Sequence, residues 1–221
     1  MSRGVLITGT DTGVGKTYVA LLLMKLLLRK GVFVGVMKPV ETGCEKTGDH
    51  LVPEDAEKLR VGSQVSDPLD LINPYRFEAP LAPSEAARQE GVQIDLARLR
   101  QNFDILRLRH SLLLVEGAGG LLVPLLGGYT FADLARDWRL SLLLVVGSRL
   151  GAINQTLLTL EVARRRGLRI LGVILNHPAP PDTAAHTNPQ VLRSLVPEPL
   201  LGVVGYGQRE AELELTPLLE E

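Results

Sequence analysis

The segment from Gly9 to Thr17, which reads GTDTGVGKT, constrains this chain more than any other stretch. It follows the apolar run Val5 to Ile7 and precedes Tyr18 to Arg29, an apolar, glycine-free run that is long enough for a helix. In a glycine-rich loop between a strand and a helix, successive backbone N–H groups can surround a polyphosphate, and the helix N-terminus adds its positive dipole end. The sequence therefore predicts a phosphate-binding loop.

The spacing of this loop departs from the common pattern, because five residues rather than four separate Gly9 from Gly15. The order of strand, loop and helix still favours a nucleotide site over a glycine-rich turn without a ligand. Within the loop, Lys16 supplies a positive charge and the Thr17 hydroxyl can bind Mg²⁺.

Apolar runs that recur along the chain indicate the fold. Several are continuously apolar rather than alternating, which is typical of parallel strands that are buried on both faces. Helix-like stretches separate most of them. We therefore expect a single α/β domain over residues 1–221, with a mostly parallel central sheet between helices in a three-layer αβα arrangement. The predicted strands are Val5 to Thr8, Val32 to Met37, Leu112 to Val115, Leu142 to Val146, Ile170 to Leu175 and Leu200 to Val204.

Three segments lack a clear apolar period. The stretch from Thr42 to Asn73 is polar and irregular, and Asn73 to Pro83 is rich in proline, so both are predicted as loops or lids. The acidic stretch from Gly205 to Glu221 is expected to fold over an edge or to fray.

Composition excludes several classes of protein. A formal net charge of −1 and an aromatic content of 4% argue against a dedicated nucleic-acid surface. The apolar runs are too short to cross a bilayer, and the N-terminus shows no signal-peptide pattern, so we expect no membrane partner and cytoplasmic residence. Cys44 is the single cysteine, which excludes an intramolecular disulfide.

Polar residues that follow the predicted strands mark the chemistry. Ligands of open parallel sheets bind beyond the carboxyl ends of the strands. Lys38, Glu116 and Asn176 stand at three such ends. Glu116 is interpreted as an acidic Mg²⁺ partner, Lys38 as a second cation near the phosphates, and Asn176 as an amide that can pair with adenine of ATP. The alternatives are a glutamate that faces water and a solvated lysine.

With these residues identified, the chain resembles the dethiobiotin synthetase family over nearly its whole length, which implies a P-loop NTPase-like fold. The segments that carry the resemblance are GTDTGVGKT at 9 to 17, KPVETG at 38 to 43, DAEKL at 55 to 59, NPYRFEAPLAPS at 73 to 84, VEGAGGLLVPL at 115 to 125, TFADL at 130 to 134, VVGSRLGAIN at 145 to 154 and LGVILN at 171 to 176.

The resemblance implies roles for individual residues. Lys38 and Lys16 would be catalytic, and Thr17, Asp55 and Glu116 would bind Mg²⁺. The implied ATP-binding residues are Thr12, Gly13, Val14, Gly15, Lys16, Thr17, Tyr18, Asp55, Glu116, Gly117, Ala118, Gly119, Asn176, His177, Val204, Gly205 and Tyr206. The implied substrate-binding residues are Thr42, Gly151, Ala152, Ile153 and Asn154.

The implied activity is that of a cyclo-ligase of biotin biosynthesis. It would carboxylate 7,8-diaminononanoate with CO₂ and close the ureido ring of dethiobiotin, with ATP converted to ADP and phosphate and Mg²⁺ as cofactor. The family also implies a homodimer in which the segment from Gly151 to Asn154 reaches the substrate of the other subunit. The alternative is a Min- or Par-type positioning ATPase, whose loop normally has lysine at the place of Thr10.

Overall fold

The computed structural model describes residues 3–219, which contain twelve strands and nine helices. The strands are β1 (Arg3–Gly9), β2 (Val34–Met37), β3 (Val40–Thr42), β4 (Glu45–Thr47), β5 (His50–Val52), β6 (Tyr75–Phe77), β7 (Leu112–Gly120), β8 (Pro124–Leu126), β9 (Tyr129–Thr130), β10 (Ser141–Gly147), β11 (Ile170–Asn176) and β12 (Leu200–Val204). The helices are α1 (Lys16–Arg29), α2 (Glu54–Ser63), α3 (Leu69–Ile72), α4 (Pro83–Gln89), α5 (Leu96–Arg109), α6 (Phe131–Trp138), α7 (Ala152–Arg165), α8 (Thr183–Leu195) and α9 (Thr216–Leu219).

A six-stranded parallel sheet forms the centre of the fold. Its strand order is β12-β11-β10-β1-β7-β2, so β1 lies between β10 and β7. Each of the six apolar runs singled out in the sequence forms one of these strands. The predicted α/β class and the parallel central sheet are therefore confirmed. Because the strands are parallel, the loops that follow them meet at one edge of the sheet.

The central strands are continuously apolar because both of their faces are covered. On β1, Ile7 packs into a cluster with Leu23 and Leu27 of α1. Its neighbour Leu6 packs on the other face, in a cluster that includes Phe103 of α5. Successive side chains of a strand point to opposite faces, so each covered face requires its own apolar residues. Burying each such side chain stabilises the fold by roughly 1.5–3 kcal/mol.

The prediction that residues 42 to 83 are only loops or lids was wrong. Strands β4 and β5 pair as an antiparallel hairpin, and β6 pairs in parallel with β3. Helix α2 follows the hairpin and buries Ala56 and Leu59 against its neighbours. Five of its ten residues are charged, so too few apolar positions remain to show a helical period.

The C-terminal stretch packs along the edge of the sheet, as expected for the part that the structure describes. The Glu214 N–H donates to the Leu201 carbonyl of β12 at 2.7 Å, and Leu215 and Leu218 are buried. Glu220 and Glu221 lie outside the described residues. Within residues 3–219, no helix has the length and apolar character needed to span a membrane.

Candidate active site

The phosphate-binding loop is built on two glycines with left-handed backbone. Gly13 has φ 73° and Gly15 has φ 90°, a region that residues with a Cβ rarely adopt. Beneath the loop, the Asn176 amide Nδ2 donates to the Val14 carbonyl at 2.8 Å. Helix α1 begins directly after Gly15, at Lys16. The loop therefore has the strand-to-helix setting predicted from its sequence.

A cavity of about 460 Å³ opens beside this loop, at the carboxyl edge of the sheet. Ligand sites commonly have volumes of roughly 300–1,000 Å³. Of the predicted residues, it is lined by Thr12, Gly13, Gly15, Lys16, Thr17, Tyr18, Lys38, Thr42, Asp55, Glu116, Ala118 and Gly119. Leu21, Glu41 and Lys58 also line it and were not predicted. A second cavity, of about 430 Å³, lies among Arg3, Leu140 and Arg169 at the opposite edge, away from the phosphate loop.

Lys38 lies between two carboxylates at the centre of the cavity. Its Nζ donates to Asp55 Oδ2 at 2.6 Å and to Glu116 Oε1 at 2.5 Å. The Thr17 hydroxyl donates to the same Glu116 oxygen at 2.8 Å. Glu116 lies within β7 rather than after it, because the strand continues to Gly120. Side chains from α1, α2, β7 and the segment after β2 thus meet at Lys38 Nζ and Glu116 Oε1.

Burial and charge shift the protonation equilibria of the site. Burial disfavours the charged form of Lys38, but Glu116 and Asp55 outweigh it and raise the pKa of the ammonium group above its ordinary value. Burial likewise opposes ionisation of Asp55, and Lys38 lowers its pKa below the ordinary value. For Lys16, burial is the largest influence and its pKa is lowered. Lys38 and Asp55 therefore form an ion pair at neutral pH.

The convergence of Thr17, Asp55 and Glu116 fits a small divalent cation. Mg²⁺ prefers oxygen ligands and is usually bound by one or two carboxylates together with phosphate oxygens and water. Glu116 Oε2 is buried and has no hydrogen-bond partner, so one acceptor oxygen remains available. Residues 3–219 contain no cluster of three or more histidine, cysteine, aspartate or glutamate side chains suited to a metal. A site of two carboxylates and one hydroxyl is consistent with both observations.

Asn176 stands at the predicted base-binding side. It is the last residue of β11 and is 2% exposed. Its Nδ2 is bound to Val14, whereas its Oδ1 is buried without a partner. In this arrangement, the acceptor oxygen is the atom left to pair with the exocyclic amine of adenine. The amide therefore supports the loop through Nδ2, and its Oδ1 remains without a partner.

The neighbouring residues at this side are only partly enclosed. The His177 N–H donates to the Val204 carbonyl at 2.9 Å, and burial lowers the pKa of the His177 ring. Tyr206 is exposed. The Tyr18 hydroxyl donates to the Gln208 carbonyl and so connects α1 with the segment after β12.

The predicted substrate residues fall into two places. Thr42 lines the cavity, whereas Gly151, Ala152, Ile153 and Asn154 do not. Gly151 has φ 93° and is the N-cap of α7, where no side chain caps the helix. The structure of one chain therefore does not bring this segment to the Lys38 bridge.

Glu41 is the most informative residue that the sequence prediction missed. Its carboxylate is buried and accepts hydrogen bonds from the backbone N–H groups of Asp55 and Ala56. Burial raises the pKa of Glu41, in opposition to Lys38 and the two amides, which lower it. The only sequence signal was its place in the KPVETG segment, because its partners are about fourteen residues away.

The chain is similar to known proteins in sequence and in fold. A family model described as an AAA domain matches residues 3–209. The ATP-dependent dethiobiotin synthetase BioD of Thermodesulfovibrio yellowstonii is 43% identical over 215 residues, covering 93% of this chain and 90% of the relative. The protein of the same name from Anaeromyxobacter dehalogenans is 48% identical over 81% of this chain and 79% of the relative. The solved structure of a ParA family ATPase from Chlorobium tepidum superimposes with a TM-score of 0.56 at 16% identity, covering 94% of this chain and 86% of that one, and so shares the fold.

Proposed function

Since this chain belongs to the family of ATP-dependent dethiobiotin synthetases, we propose that the cavity around Lys38 is where it carboxylates 7,8-diaminononanoate and closes the ureido ring. The observation that carries this assignment is the Lys38 bridge between Asp55 and Glu116, directly beside the phosphate loop. The enzyme is a ligase, and we assign it to the cyclo-ligases because the bond that it forms closes a ring.

The reaction needs an amine, CO₂ and the γ-phosphate of ATP in one place. The N7 amine adds to CO₂ and loses a proton, which gives a carbamate. A carbamate oxygen attacks the γ-phosphorus and ADP leaves, so the carbonyl carbon acquires phosphate as its leaving group. The N8 amine of the same molecule then attacks that carbon, and phosphate and a proton depart. Because both amines belong to one substrate, ring closure depends mainly on positioning.

The residues of the cavity fit the charged groups that take part in these steps. Backbone N–H groups of the loop from Thr12 to Thr17 would hold the phosphates, with Lys16 at the start of α1. Lys38 would face the carbamate and the γ-phosphate, where its ammonium group offsets the negative charge that gathers as the two groups approach. Thr42 lines the same cavity and would contact the diamine.

Mg²⁺ is proposed as the metal, held by Thr17, Asp55 and Glu116. The buried, unpartnered Glu116 Oε2 and the hydroxyl of Thr17 beside it support this ligand set. When it is bound, Mg²⁺ neutralises part of the charge of the triphosphate. The remaining ATP contacts proposed are Gly117 to Gly119 at the phosphates, and Asn176, His177 and Val204 to Tyr206 at the base.

We also propose a homodimer in which the partner subunit's segment from Gly151 to Asn154 receives the carboxylate of the substrate. No side chain caps the N-terminus of α7, although the Ala152 N–H donates to the Arg149 carbonyl, and such a helix end favours an anionic group. These residues do not line the cavity of their own chain, so the proposal places them at the cavity of the partner subunit. Organisation as one domain and cytoplasmic residence remain predictions.

The alternative, a Min- or Par-type positioning ATPase, is not favoured. The likeness to the ParA structure is one of fold at 16% identity, whereas the curated synthetases are 43–48% identical over most of the chain. The position after Gly9 is occupied by Thr10 rather than by the lysine expected of that class.

Incubation with ATP, Mg²⁺, isotopically labelled bicarbonate and 7,8-diaminononanoate tests the proposal. We expect dethiobiotin that carries the label, detected by mass spectrometry, together with ADP and phosphate. The matched control is Lys16→Ala, which should form no product. ATP binding without any labelled product in the wild-type protein would overturn the assignment.

A further inference from the structure

Helix α2 carries Asp55 in its first turn but has no capping side chain of its own. The residue before the helix is Pro53, and no side chain at that position bonds to the first turn. The first N–H groups of an α-helix have no partner within the helix, and an N-cap side chain normally accepts from the second or third of them. In α2 these are the N–H groups of Asp55 and Ala56.

The cap comes instead from Glu41 on β3. Glu41 Oε1 accepts from the Asp55 N–H at 2.8 Å, and Glu41 Oε2 accepts from the Ala56 N–H at 2.9 Å. Glu41 is 6% exposed, so little water competes for these bonds. A negative charge at this end of a helix is also favoured by the helix dipole. Both oxygens of one carboxylate thus fix the place where α2 begins.

The same bonds fix the Asp55 side chain relative to the cavity. Asp55 Oδ2 lies 2.6 Å from Lys38 Nζ, which also contacts Glu116. Glu41 is adjacent in sequence to Thr42, and both side chains line the cavity. Glu41 therefore connects β3, which carries the proposed diamine contact Thr42, to α2, which carries the proposed Mg²⁺ ligand Asp55.

We propose that Glu41 is a positioning residue that caps α2 from β3 and thereby holds the Asp55 carboxylate at the metal site. The inference rests on the proposed role of Asp55 as a Mg²⁺ ligand. Removal of a group that orients a metal ligand typically weakens metal binding by about 10- to 100-fold. Glu41→Ala should fall in that range, and Glu41→Gln, which keeps one acceptor oxygen, should show a smaller loss.

The matched control is Glu54→Ala. Glu54 belongs to the same first turn, but its side chain is 78% exposed and pairs with Lys58. This variant removes one carboxylate from the same helix end and leaves the cap intact. Loss of charge alone would affect both variants, whereas loss of the cap affects only Glu41→Ala.

Two measurements test the proposal on the full-length protein. The first is the affinity of the ADP complex for Mg²⁺, measured by calorimetry. The second is hydrogen exchange at the Asp55 and Ala56 amides. We expect Glu41→Ala to bind Mg²⁺ at least about tenfold more weakly and to exchange both amides faster, with Glu54→Ala close to wild type. A folded Glu41→Ala protein with wild-type affinity and exchange would overturn the proposal, and Glu41→Gln provides the same test if the alanine variant does not fold.

Asp55→Asn separates this inference from the proposed function. If Asp55→Asn weakens Mg²⁺ binding and Glu41→Ala does not, only the role of Glu41 is wrong. If Asp55→Asn leaves Mg²⁺ affinity unchanged, the metal role of Asp55 is itself wrong. In the double variant, Glu41→Ala should add no further loss of Mg²⁺ affinity, since it acts through Asp55. A further drop in the double variant would overturn the positioning role.

Discussion

Replacing Gly15 with alanine tests how closely the phosphate loop depends on its contact with Asn176. A Cβ at Gly15 would lie 2.2 Å from Asn176 Nδ2, which is far inside van der Waals contact. The buried amide would have to move away from the Val14 carbonyl that it now bonds at 2.8 Å. We expect two losses: about 1–2 kcal/mol for a left-handed residue with a Cβ, and about 1–3 kcal/mol for the broken buried hydrogen bond. Gly15→Ala should therefore lower the free energy of unfolding by roughly 2–5 kcal/mol.

Gly13→Ala provides the matched control. Gly13 also has a left-handed backbone, with φ 73°, but a Cβ there would meet no atom within 4 Å. Only the conformational loss of about 1–2 kcal/mol applies to it. Urea denaturation gives the free energy of unfolding of both variants, and the difference between their losses is the contribution of the Asn176 contact. Calorimetry should also show weaker ATP binding for Gly15→Ala. Adding Asn176→Ala to Gly15→Ala should remove the steric part of the effect. Equal losses of stability in the two glycine variants would refute this reasoning.

Three further substitutions test the site and its support. Lys38→Ala should retain ATP binding but lower turnover by about 10²–10³-fold, since one stabilising cation is lost; product formation at the wild-type rate would remove Lys38 from the mechanism. Thr17→Val should weaken ATP binding by about tenfold with Mg²⁺ and leave metal-free binding unchanged, as calorimetry can measure; unchanged affinity with Mg²⁺ would contradict its role. Asp133 caps α6 with Thr130 and pairs with Arg166. Burial opposes ionisation of its carboxyl, but these partners lower its pKa. The stability lost in Asp133→Asn should therefore be full at neutral pH and shrink as pH falls below about 4; a loss that persists at acidic pH in thermal denaturation would count against the ionised cap.

The central sheet could be predicted because strands that are buried on both faces are continuously apolar in sequence. Leu6 and Ile7 are neighbours that pack into different clusters, so no polar residue interrupts the run. The same logic placed Lys38 and Glu116 at strand ends on one edge, and the structure brings their charged atoms to 2.5 Å. Parallel topology, rather than proximity in sequence, produces that contact.

Helix α2 could not be predicted in this way because its stability comes from elsewhere in the chain. Only Ala56, Leu59 and Ser63 are buried along its length, and its cap is provided by Glu41. Asp55 is predicted only through the resemblance to a family, because its local sequence indicates a loop. A contact between distant backbone and side-chain groups leaves no periodic signal.

For Asn176, the sequence predicts the position of the side chain but not its hydrogen-bond partner. Its position after an apolar run indicated a buried amide near the base. The bond from its Nδ2 to the Val14 carbonyl could not be predicted, because the two residues are 162 positions apart in the chain. Similarly, the run from Gly151 to Asn154 was identified as a helix start, but its distance from the Lys38 bridge depends on packing that no local pattern records.

The bridge formed by Lys38 also balances the charges of Asp55 and Glu116. Two carboxylates brought together in a dry site repel each other, and an isolated pair of this kind would favour an open or protonated arrangement. Here the ammonium group of Lys38 serves as their counterion. If Asp55 and Glu116 bind the proposed Mg²⁺, the charge of the metal would take the place of the Lys38 ammonium group at these same carboxylates.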